Sequence, residues 1–175
     1  DEGERAVIGT AITVLGLLTI VAVACAPLIF RVFSLHPASG IDVGLYRHVG
    51  TMLTRIFLVQ VFFYGLTALA SSALNARRRF AAAAWAPVGS NVVIIALLLC
   101  IPIAIDGKPT LETISTNGTA RWLLGMGATL GIALGAILLI IVAIRSNVRV
   151  SLRPQFSHPA VKRLARPSAW TFGYV

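Results

Sequence analysis

A chain of 175 residues with 57% hydrophobic and only 12% charged side chains carries about half the charge of a soluble domain, where roughly 25% is usual. Its mean hydropathy of +0.87 excludes an ordinary water-soluble fold. The net charge of +9 does not signal nucleic acid, because the cations lie in gaps between apolar runs and are not interleaved with aromatics on a polar face; an anionic membrane surface fits them better.

In chain order, four charge-free runs cover residues 6–30, 56–76, 80–105 and 122–144, of 25, 21, 26 and 23 residues. Each exceeds the roughly 18 to 20 apolar residues that cross a hydrocarbon layer about 30 Å thick. Lipid cannot satisfy free backbone groups, strand-like alternation is absent, and barrel strands need only about 10 residues, so the runs predict helices. A soluble helical bundle would show a polar stripe on each helix, and these runs have almost none. The fold class is therefore all-α integral membrane, with spans at about 6–30, 50–75, 80–105 and 122–144 forming a portion over residues 1–144.

Two short outer loops are predicted, at 34–47 and 106–121. Asn117-Gly118-Thr119 in the second matches a glycosylation acceptor, a pattern common by chance. Residues 145–166 form a basic connector in which Ser157 caps a short helix with Pro159 in its first turn. Val161, Leu164 and Ala165 would meet lipid while Lys162, Arg163 and Arg166 reach phosphates. Pro167 then heads a fifth apolar segment, 167–175. The opening Asp1 and the broken-off AWTFGYV suggest a piece of a longer protein.

Charge asymmetry orients the chain. The side holding the N-terminus collects Arg5, Arg77, Arg78, Arg79, Arg145, Arg149, Arg153, Lys162, Arg163 and Arg166; the other collects Arg31, Arg47, Lys108 and Arg121. The positive-inside rule makes the first side cytoplasmic, so the N-terminus and the turn at 75–80 lie in the cytoplasm.

Within the runs, Gly127, Gly131 and Gly135 form a doubled GxxxG, a pattern for close helix packing. Pro87, followed by Gly89, Ser90 and Asn91, predicts a kink, and Asn91 is expected to make an interhelical hydrogen bond. Arg55, with Gln60 at the start of the second run, either snorkels to headgroups or faces a polar interior. Cys25 and Cys100 lack ligand-spaced neighbours and read as small buried apolar residues. The acidic residues and His36, His48 and His158 all lie outside the runs without catalytic spacing. The chain is therefore not read as an enzyme.

Residues 74–91, LNARRRFAAAAWAPVGSN, resemble the MurJ (MviN) lipid II flippases of the multidrug/oligosaccharidyl-lipid/polysaccharide (MOP) superfamily. Leu74, Asn75, Arg79, Phe80, Ala84, Trp85, Ala86, Pro87 and Asn91 fit the family pattern, and Ala83 stands where a proline is common. The layout of spans and loops follows the family over most of the chain. The resemblance implies transmembrane helices three to six and the head of the seventh, in the N-terminal six-helix lobe of a bacterial plasma-membrane flippase. Its partners would be the lipid-linked peptidoglycan precursor, anionic membrane lipids and the remaining helices of the transporter. It implies no cofactor in these residues and leaves ion or membrane-potential coupling open for the whole protein. The family's principal cavity arginines lie on helices outside this stretch, so none is carried over. Asn75 and Arg79 would shape the cytoplasmic hairpin, and Arg55 is the one basic residue placed to approach the cavity. The alternatives are a related exporter of drugs or polysaccharide lipids, a non-transporting membrane scaffold, and a membrane enzyme acting on lipid phosphates.

Overall fold

The computed structural model describes residues 2–35, 40, 42–100, 103 and 110–174. Among these, the chain is all-α. The elements are α1 (Glu2–Ala24), α2 (Ala26–Phe33), α3 (Val43–Ala76), α4 (Phe80–Leu99), α5 (Leu111–Thr116), α6 (Gly118–Arg121), a π-helical turn (Trp122–Met126), α7 (Gly127–Arg145) and α8 (Pro159–Tyr174). Four helical stretches are long and apolar enough to cross a membrane: Glu2–Ala24, Val43–Ala76, Phe80–Leu99 and Trp122–Arg145.

The first apolar run does not form one helix. It divides at Cys25, two residues before Pro27. Proline has no N–H to give the carbonyl four residues back, and its ring crowds that carbonyl. Conversely, α3 starts earlier than the apolar run, because Asp42 caps it: its Oδ1 accepts from the Gly44 and Leu45 amides at 2.8 and 3.1 Å. The predicted outer loop at 106–121 contains α5 and α6. His36, Pro37, Asp106 and Lys108 lie outside the described residues.

The central pairings are α3 with α7 and α4 with α7; α1 leans on α3. The core is a short apolar plug of Ala70 and Leu74 on α3 with Leu139, Ala143 and Val148 at the end of α7. The large apolar side chains elsewhere point outward, among them Leu18, Ile20, Trp85, Val92 and Leu99, as expected where the solvent is hydrocarbon.

Both helices that reach the plug end in the same way. In α3, the Arg79 amide donates to the Leu74 carbonyl and the Arg78 amide to Asn75. In α7, the Val148 amide donates to Ala143 and the Asn147 amide to Ile144. These are paired Schellman caps, with the left-handed residue supplied by Arg78 (φ 57°) and Asn147 (φ 66°). Asn tolerates that conformation well; Arg78 adopts it at some cost.

The C-terminal helix departs from its prediction. His158, and not Ser157, caps it: His158 Nδ1 accepts from the Ala160 amide at 3.2 Å. The helix then runs through Pro167 without a break, so Pro167 sits inside an element and does not open a new one. The cost of Pro167 is one hydrogen bond to the Arg163 carbonyl. The two cysteines are also unlike their prediction. Both are exposed, because each ends a helix at the periphery: Cys25 between α1 and α2, Cys100 at the end of α4.

Candidate functional site

Two groupings of polar side chains stand out against the apolar background. The first is a clamp at one end of the bundle. Arg77, which ends α3, donates from both guanidinium arms to Glu4 of α1, Nη1 to Oε1 at 2.7 Å and Nη2 to Oε2 at 3.0 Å. Its Nη2 also donates to the Asn147 carbonyl just past α7, at 3.0 Å. The bidentate geometry is one that a planar guanidinium can make and an ammonium cannot. The Glu4 carboxylate holds the Arg77 guanidinium above its ordinary range. One side chain thereby links the start of α1, the end of α3 and the end of α7.

The connector after α7 continues this end. It crosses α1 at Gly9, where a Cβ would fall onto the Arg153 carbonyl and lie 3.0 Å from that of Ser151. At the next residue of α1, the Gln155 amide donates to Thr10 Oγ1 at 3.0 Å. α8 then lies back against the first turn of α1, with Ala160 Cβ 3.3 Å from the place of a Cβ on Gly3.

The second grouping lies between α3, α4 and α7. Tyr64, Thr67, Pro87, Ser90, Asn91, Ile94 and Ile132 line a cavity of about 120 Å³. Thr67 Oγ1 donates to the Phe63 carbonyl of its own helix. Tyr64 is exposed, as is Asn91, and neither side chain has a hydrogen-bond partner among the described residues. The expected interhelical bond from Asn91 is thus not made among them. The bond that is made comes from Gln60 of α3, whose Nε2 donates to Thr129 Oγ1 of α7 at 3.0 Å.

The other residues singled out in the sequence distribute as follows. Gly127, Gly131 and Gly135 are all buried on α7. A Cβ on Gly131 would meet Ile94 Cγ1 at 2.6 Å and the Ser90 carbonyl at 3.3 Å; one on Gly127 would touch Leu97 at 3.4 Å. Gly131 sets α7 against Ser90 and Ile94, two of the residues that line the cavity. Asn75 and Arg79 take part in the α3 cap through their backbones, and both are exposed, as is Phe80. Of the three arginines in the turn, Arg77 makes the long-range contact, not Arg79.

Arg55 joins neither grouping. It is exposed and lies 21 residues before the end of α3, or about 32 Å along the helix at 1.5 Å per residue. That equals the thickness of a hydrocarbon layer. If the turn at 77–79 sits at one face of the bilayer, Arg55 reaches the headgroups of the other. Arg77–Glu4, Gly9 and the Gln60–Thr129 pair were not singled out by the sequence. An acidic residue 73 positions from the arginine it meets carries no pairing signal, and a lone glycine in an apolar run carries no partner.

Four span-capable helices with cations gathered around one end define an all-α, multi-pass membrane protein. Residues 4–175 match the family model described as Lipid II flippase MurJ, and the chain belongs to that family. It is a family of lipid transporters. No solved structure matches the chain.

Proposed function

We propose that this chain supplies four membrane spans and a connector to a transporter that carries lipid-linked peptidoglycan precursor from the inner to the outer leaflet of the bacterial plasma membrane by alternating access. The family match over residues 4–175 is the observation that carries this reading. The charge distribution supports the orientation. Glu4, Arg77 and Asn147 meet at one end of the bundle, and ten of the fifteen Lys and Arg residues fall on that side by sequence. That end is cytoplasmic by the positive-inside rule, with the 145–166 connector against it. Exposed Arg78, Arg79, Lys162 and Arg163 there contact anionic headgroups.

Roles for the named residues follow. Asn75, Arg79 and Phe80 shape the turn between α3 and α4. Gly127, Gly131 and Gly135 let α7 approach its neighbours closely. Arg55 snorkels to the outer headgroups, and it is also the one basic residue of the spans that could approach the transporter's cavity. Residues 1–144 act as a four-helix portion, and the last helix, described through Tyr174, leads toward a further span.

Depletion of the full-length protein in cells, followed by an assay of precursor exposed at the outer surface, tests the function. Exposure falls and total precursor accumulates if the reading is right, and an intact copy restores both. Unchanged exposure under verified depletion, with no redundant transporter, would leave the scaffold or another exporter as the better account. Single cysteines at Arg78 and Ser157, protected from an impermeant thiol reagent on intact cells, and one at Thr113, labelled, test the orientation. The inverse pattern reverses it.

A further inference from the structure

The cavity between α3, α4 and α7 lies near the middle of the bilayer. Tyr64 is 12 residues before the end of α3 and Asn91 is 11 after the start of α4, or about 18 and 17 Å from the charged end at 1.5 Å per residue. A phenol and a carboxamide at that depth, both without a partner among the described residues, do not face hydrocarbon, where each polar group left unbonded is costly. Pro87 lines the same cavity and lacks the N–H that would bond the carbonyl of Ala83.

The sequence of α3 extends the pattern. Gln60, Tyr64, Thr67, Ser71 and Asn75 recur at steps of four, three, four and four, which places them on one face. That stripe leads from the bilayer interior to the cytoplasmic turn. The opposite character marks another face of α4, where Trp85, Val92 and Leu99 are all strongly exposed and apolar. α4 thus has one side made for lipid and one side made for something polar.

Charge decides what that polar occupant is. Neither the 56–76 run of α3 nor α4 contains a lysine, arginine or acidic residue. A pyrophosphate needs fixed positive charge when water is excluded; this cavity offers only uncharged donors and acceptors. Its volume of about 120 Å³ holds several waters. We infer that it is a water-accessible subsite on the transport path, in which Tyr64 and Asn91 take hydroxyl and amide groups of the sugar–peptide headgroup of the precursor. The subsite rests on the flippase reading above. It adds a neutral contact for the headgroup, apart from any site for the pyrophosphate.

Two measurements on the full-length protein test it. In a background with Cys25→Ser and Cys100→Ser, single cysteines replace Tyr64, Asn91 and Val92, and membranes are treated with the charged reagent sulfonatoethyl methanethiosulfonate. Tyr64→Cys and Asn91→Cys react and Val92→Cys does not. If both niche cysteines are inert, a neighbouring helix or lipid fills the space and the inference fails. Second, purified wild type, Tyr64→Phe and Asn91→Leu are titrated with the sugar-bearing precursor and with a polyprenyl pyrophosphate lacking sugars. Each variant binds the precursor about fivefold more weakly, the loss of one neutral hydrogen bond, and binds the sugarless lipid as wild type does. Tyr64→Phe removes one oxygen and keeps the shape, so it stands even if Asn91→Leu folds poorly. Wild type that binds neither lipid sinks the flippase reading itself. Wild type that binds the precursor while the variants match it, or lose both lipids equally, overturns the subsite alone.

Discussion

Gly9 and Gly89 show how differently two glycines in apolar helices can matter. Beside Gly9 runs the backbone of the connector, with the Arg153 and Ser151 carbonyls in the space a side chain would need. Backbone cannot rotate aside, so Gly9→Ala must push the connector off α1, at about 1–3 kcal/mol for an overpacked site. Around Gly89 nothing lies within 4 Å, and Gly89→Ala leaves stability unchanged or raises it. Thermal unfolding in detergent checks the pair: Tm falls for the first and not for the second. Asn147 makes a related case. Its φ of 66° suits Asn or Gly and resists a β-branched residue. Asn147→Val lowers Tm, whereas Asn147→Gly holds or raises it, by about 0.5–1 kcal/mol at most.

At the level of helices, α3 and α7 share apolar packing and, among the described residues, one side-chain hydrogen bond inside the membrane, Gln60 to Thr129. Such bonds average only about 0.6 kcal/mol in membranes, with about 1.7 at the top. Thr129→Val is therefore expected to be mild, while Gly131→Val, which drives two methyl groups toward Ile94 and the Ser90 carbonyl, separates α7 from α4 and costs more. Comparing the two Tm shifts measures whether close backbone approach to α4 or the polar bond to α3 does more to hold α7 in place. The ordering of costs also explains what was legible beforehand. Twenty or more apolar residues in a row need only a bilayer for their helices to be foreseen, and the GxxxG glycines announce themselves by spacing. Hydrogen-bond partners do not. Asn91 is the most polar side chain of its run, yet Gln60 found the partner, because which polar group meets another depends on the rotation of two helices and not on polarity. Pro27 and Pro167 make the same point. One stands at the start of a new helix and the other is carried inside one, although both lack the same N–H.

For the whole molecule, the Arg77 clamp ties three helix ends that are far apart in sequence, with Glu4 and Asn147 on its two sides. Arg78, one residue on, is exposed and makes a turn. Arg77→Lys keeps the charge and loses the fork, so it lowers Tm nearly as far as Arg77→Ala, while Arg78→Lys does not. A clamp that needed charge alone would tolerate Arg77→Lys. The topology assay is expected to be indifferent to all three, because the two other arginines of the turn preserve the positive bias.

The length of α3 has a mechanical consequence. Its 34 residues make a rod of about 51 Å, some 20 Å more than the hydrocarbon is thick. The clamp and the apolar plug pin its charged end, and the Phe30 and Tyr46 rings, 5.3 Å apart, couple α2 to the other. A rod of this length is a lever: a tilt of about 10° about the plug sweeps the far tip through roughly 9 Å, and α2 and α5, which pack on it, move with it. Small rearrangements among buried side chains at the charged end are thus amplified, by geometry alone, toward the opposite end of α3.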